Sequence, residues 1–143
     1  MPTQVEGIPP ITALADFFAL DEDGTVWDLR SSRFHSEPDP IKGISEATAI
    51  YSFKPLLYTV TRDQRLWVFE KSFYDWEQTG DYYWDDPGRI LEGPTAITAM
   101  ASWWLGEIRS ELALTSGGEV WFWQARNLGA NVPNQMMAEF AVD

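Results

Sequence analysis

Asp21, Glu22, Asp23 and Gly24 are the first residues whose types could do chemistry, since carboxylates two apart ahead of a glycine open a calcium loop. A calcium-binding loop needs its glycine at the sixth position and a bidentate glutamate at the twelfth. Here the glycine stands fourth and Ser32 occupies the place of the glutamate, so a hairpin turn is expected and no metal. The pair Asp85 and Asp86, or Asp75 with Glu77, could supply the acid and the base of a glycosidase. Carboxylates at this density follow instead from the composition, which sets 22 acidic against 10 basic residues for a net charge of −12. The single histidine, His35, sits in Arg33-Phe34-His35-Ser36-Glu37 without metal-ligand spacing, and there is no cysteine. No phosphate-binding glycine loop is present. With no nucleophile, acid–base pair or metal set, an enzyme is not expected, nor any cofactor.

The chemistry that remains is recognition. Between Glu70 and Gly88 the chain carries six carboxylates, six aromatics and one lysine. Solvated loops seldom hold so many rings, whereas contact surfaces are rich in Tyr and Trp, which bring area and a polar handle at low entropy cost. The candidate contacts are Phe73, Tyr74, Asp75, Trp76, Glu77, Asp81, Tyr82, Tyr83, Trp84, Asp85 and Asp86. Trp103 and Trp104 form a second candidate. Adjacent residues of a strand point to opposite faces, so at most one of these two is expected to face the core.

Charge narrows the partner. A chain at −12 repels nucleic-acid phosphates and anionic lipid and attracts basic surfaces. No run reaches the roughly 18 apolar residues of a membrane span, and the first residues, Met1 to Gly7, have neither a basic start nor an apolar core. A cytoplasmic location with no nucleic acid and no membrane as partner is expected.

The elements that must position these residues come in three copies. Gly7 precedes Thr12-Ala13 by five residues, Gly43 precedes Thr48-Ala49, and Gly93 precedes Thr98-Ala99. Each copy then runs into a hairpin ending in tryptophan, at Trp27, Trp67 and Trp121. Self-similarity at such a period marks a repeat architecture. Period-2 patterning divides each copy into four short strands. The first is expected before the repeat glycine (Val5 to Gly7, Ile41 to Gly43, Leu91 to Gly93), the second over the Thr-Ala segment. The last two form the hairpin, as in Phe17 to Asp21 and Thr25 to Leu29, joined through Asp23-Gly24. Trp27, Trp67 and Trp121 are expected to be buried between neighbouring sheets.

The hairpins, together with Trp121-Phe122-Trp123-Gln124-Ala125-Arg126-Asn127-Leu128-Gly129, resemble the repeats of the regulator of chromosome condensation family. The resemblance implies a β-propeller with one four-stranded blade per repeat. Gln124 stands where the family has glycine, and the family's glycine-histidine pair is absent from all three copies. Nucleotide exchange and chromatin binding are therefore not carried over.

The expected fold is all-β: a single propeller-like domain over residues 1–143, a stack of about three four-stranded antiparallel blades (about 5–40, 41–90 and 91–143). Such a stack is either an open wedge or completed by oligomerisation, for instance in a homodimer, because open stacks expose their terminal faces. The expected function is a non-catalytic module binding a basic protein. At the level of class it resembles the immunity proteins that occlude bacterial toxins. The alternatives are a carbohydrate-binding propeller, with rings stacked on sugars, and a DNA-mimic inhibitor.

Overall fold

The computed structural model describes residues 2, 4–29, 38–41, 43–53, 56–70, 88–106, 108–124 and 135–136. Among them the chain is all-β, built of twelve strands: β1 (Ile11–Ala15), β2 (Phe18–Asp21), β3 (Val26–Asp28), β4 (Asp39–Pro40), β5 (Ala47–Phe53), β6 (Leu56–Thr61), β7 (Arg65–Glu70), β8 (Arg89–Thr95), β9 (Ile97–Leu105), β10 (Ile108–Thr115), β11 (Val120–Gln124) and β12 (Gln135–Met136). They form three four-stranded sheets, each a meander of consecutive strands: β1-β2-β3-β4, β5-β6-β7-β8 and β9-β10-β11-β12. This is the blade pattern of a propeller-like fold. Among the described residues no helix is long and apolar enough to cross a membrane.

The blades are phased differently from the expectation. The strand ahead of the second repeat glycine, β4, and the strand that runs through the third, β8, close the preceding sheet instead of opening the next. Ile41 donates its N–H to the Val26 carbonyl at 2.8 Å and so extends the first sheet. Val5 to Gly7 form no strand. Each sheet therefore starts at the Thr-Ala segment.

That segment has a geometric reason to recur. The antiparallel register slips by one residue at Thr12, Thr48 and Thr98 in turn, since Ile11 and Ala13 face Asp21 and Leu20, Ala47 and Ala49 face Thr61 and Val60, and Ile97 and Ala99 face Thr115 and Leu114. Threonine is the extra residue of a β-bulge in every copy. Its hydroxyl donates to the carbonyl across the ladder, Thr12 to Leu20 at 3.2 Å, Thr48 to Val60 at 3.1 Å and Thr98 to Leu114 at 3.2 Å. Bonded pairs lie 8, 12 and 16 residues apart, so each successive hairpin is longer while the anchor stays the same.

The chain divides into two compact units, residues 1–62 with 67–89, and residues 63–66 with 90–143. In the first, one core gathers Phe18, Leu20, Val26, Ile41, Ile44, Ala47, Ile50, Leu57 and Phe69, drawn from both of its sheets. Burying side chains of this size contributes roughly 1.5–3 kcal/mol each. The two sheets are also tied by backbone, because Ala47 donates to the Gly24 carbonyl at 3.1 Å. Gly24 has φ +88°, and a Cβ there would lie 2.7 Å from Glu46 Cα and 2.8 Å from Ala47 N. Only glycine permits both the left-handed turn and that approach. In the second unit Gln64 takes the corresponding place with φ 70°, and its carbonyl accepts from Ala96 at 3.2 Å.

Candidate functional site

Asp21 organises the first tryptophan hairpin. Its Oδ1 accepts from the backbone N–H of Asp23 at 2.8 Å and of Thr25 at 3.0 Å, and its Oδ2 accepts from Trp27 Nε1 at 3.0 Å. Burial would raise the Asp21 pKa, but these bonds outweigh it and hold the carboxyl below its ordinary value. A carboxylate this occupied belongs to a turn, as the position of Gly24 implies. Among the described residues no cluster of His, Asp or Glu could hold a metal ion.

The tryptophan reading needs correction. Trp27, Trp67 and Trp121 are half-buried, while their neighbours Val26, Asp28, Leu66 and Val68 are buried. Strand alternation turns Val26 and Asp28 into the interior and leaves Trp27 on the other face, where its ring covers the sheet and its N–H reaches Asp21. Among the described residues the fully buried tryptophan is Trp123, two residues beyond Trp121.

The candidate contacts from Phe73 to Asp86, and His35, lie outside the described residues. Trp103 and Trp104 are described, near the end of β9, and both are exposed, at 59% and 60%. They stand on the β9–β10 hairpin, whose pairing runs out to Leu105 and Ile108, with Trp103 opposite Ser110 and Trp104 opposite Arg109. Among the described residues β11 pairs with β10 from Ser110 to Leu114.

The hairpin is braced by a charged pair. Arg109, directly across from Trp104, places its guanidinium 5.8 Å from the centroid of that ring and its Nη2 2.9 Å from Glu111 Oε1. Glu111 is fully buried. Burial pushes its pKa up, and the Arg109 charge pulls it back only in part. The result is an exposed indole held beside a buried ion pair. The two tryptophans were legible in the sequence, but the Arg109–Glu111 brace was not. Its one signal is the alternation Arg109-Ser110-Glu111, which puts opposite charges on one face of a strand.

No protein-family model and no curated protein matches the chain. Among solved structures, Prp20p of Saccharomyces cerevisiae, described with its binding to Gsp1p and histones, aligns at 19% identity and a TM-score of 0.48 over 75% of this chain and 28% of its own. Human WBSCR16 aligns at 15% identity and 0.46 over 75% of this chain and 30% of its own. The chain thus spans less than a third of either protein.

Proposed function

We propose that this chain is a non-catalytic protein-binding module that occludes a basic partner in the cytoplasm, in the manner of an immunity-type inhibitor of a bacterial toxin. The observation that carries the reading is the pair Trp103 and Trp104, both exposed near the end of β9 in the β9–β10 hairpin. Rings held on a rigid strand lose little entropy on binding and are the residues that dominate contact energy. The acidic, aromatic segment Phe73–Asp86 supplies further rings and the charged surround. At a net charge of −12, encounter with a basic protein is steered and fast.

The test is affinity capture from the source cell with the native chain and with Trp103→Ala/Trp104→Ala, at about 0.01 M and about 1 M salt, between which the Debye length shortens from ~30 Å to ~3 Å. The expected result is a basic protein held by the native chain at low salt, lost at high salt and lost in the double variant. Equal retention by both chains, or capture of acidic proteins only, would overturn the reading.

A further inference from the structure

The three carbonyls that accept the bulge threonines define equivalent residues: Leu20, Val60 and Leu114. The first two are buried, at 3% and 2%, and the third is 41% exposed. The difference runs through the whole hairpin. Every residue of β2 is buried, and so is β6 from Leu56 to Val60, so those strands are covered on both faces. Along β10, Glu111, Ala113 and Thr115 are buried, while Leu112 is half-buried and Leu114 exposed. Only one face of β10 is covered among the described residues. At the turn the contrast repeats, since nothing stands within 4 Å of a Cβ placed on Gly118, against 2.7 Å at Gly24.

A complementary face is open at the other end of the repeat series. In β5 the residue two beyond the bulge, Ile50, is 6% exposed and belongs to the core with Phe18, Leu20 and Val26. Its equivalent in β1, Leu14, is 68% exposed, with Phe17 exposed beside it. The chain thus contains a joint between a hairpin face (Phe18, Leu20, Val26) and the next copy's strand (Ile50). Among the described residues both halves of that joint recur with less cover, Leu114 exposed with Leu112 and Val120 half-buried on one side and Leu14 exposed on the other.

We infer that a second copy of this chain fills the joint, head to tail: Leu14 of one molecule docks on the Leu112–Leu114–Val120 face of another, as Ile50 docks on the first hairpin. The contact is heterologous, two different patches meeting. Because each molecule carries a charge of −12, copies repel, and screening by salt strengthens this association. Binding to a basic protein has the opposite salt dependence, which separates the two interactions.

The experiment is sedimentation of the native chain, Leu14→Gln and Leu114→Gln across a micromolar dilution series at low and high salt, with far-ultraviolet circular dichroism confirming the fold. Both leucines are exposed, so glutamine keeps their size and the net charge while leaving an unpaired amide in any interface. Expected is a native species of at least twice 16.3 kDa that is favoured by salt, with association at least tenfold weaker in each variant. The mixture of the two variants should associate more tightly than either alone, because Leu114 of the first then meets Leu14 of the second. A native chain monomeric at both salts, association untouched by either substitution, or a mixture no tighter than its components would each overturn the inference.

Discussion

The first and the third tryptophan hairpins have one backbone and two environments. In both, a three-residue loop closes with a left-handed glycine: Asp21 and Thr25 are bonded backbone to backbone around Gly24, and Thr115 and Glu119 around Gly118. Asp21 holds two turn N–H groups and the Trp27 indole, whereas Thr115 spends its one hydroxyl oxygen on the Glu119 N–H at 3.2 Å. The Trp121 Nε1 is left buried with no hydrogen-bond partner among the described residues. Gly24 is pressed against the next strand, while Gly118 faces open space. Hairpin geometry is therefore a local property of turn and bulge, and burial is a property of the neighbour.

The sharpest way to break the pairing is a methyl group at each turn. Gly24→Ala meets backbone atoms inside 3 Å and a positive φ, and should lose about 3 kcal/mol in urea unfolding, the sum of strain and overpacking. Gly118→Ala meets only the positive φ and should lose about 1 kcal/mol. Equal losses would show that the third turn is as enclosed as the first.

Exchanging the anchors comes next. Asp21→Thr keeps a turn acceptor and abandons Trp27, and should lose about 2 kcal/mol, since hydrogen bonds to a charged group are the stronger kind. The buried carboxylates of Asp21 and Glu111 also predict opposite responses to acid. Asp21 titrates lower folded than unfolded, so its contribution is complete above an unfolded pKa of about 4 and disappears as pH falls through the folded value. Glu111 titrates higher folded than unfolded. Folding therefore takes up a proton there, and the second unit gains stability as pH falls through the folded value towards the unfolded one. Carboxyl carbon shifts followed by NMR against pH check both directions.

A smaller contrast lies in the rings. Trp27→Phe removes a satisfied N–H and should cost about 1 kcal/mol beyond the change in area, while Trp121→Phe removes an unsatisfied one and should cost less or stabilise. The smallest effect is expected at Arg62, whose contact with Glu46 is 3.8 Å long and solvent-exposed. Arg62→Ala should stay within about 0.5 kcal/mol.

The same contrast explains what could be read before the structure. Gly24, Thr12, Thr48 and Thr98 were visible as a repeating phase because turn and bulge impose their requirements through a few adjacent residues. The left-handed Glu46, Gln64 and Ala96 were not, because the bonds Arg62 N–H to Glu46 and Ser116 N–H to Ala96 impose that conformation on residue types that do not advertise it. The half-burial of Trp27, Trp67 and Trp121 was misread for a related reason: hydrophobicity says that a ring wants cover, and only the adjoining sheet decides which face receives it. At the candidate site, Trp103 and Trp104 were legible as residues. Their joint exposure was not, because alternation along a strand assigns opposite faces without saying whether either face is covered.

Because the chain has no cysteine, the difference in cover can be measured directly by introducing one thiol at a time, as Leu20→Cys, Val60→Cys and Leu114→Cys, and following its modification in protein dilute enough to suppress self-association. The thiol at 114 should react within about tenfold of a free thiol, and those at 20 and 60 at least about a hundredfold more slowly, waiting on opening of the sheet. Protection at 114 equal to that at 20 and 60 in dilute protein would contradict an uncovered third hairpin.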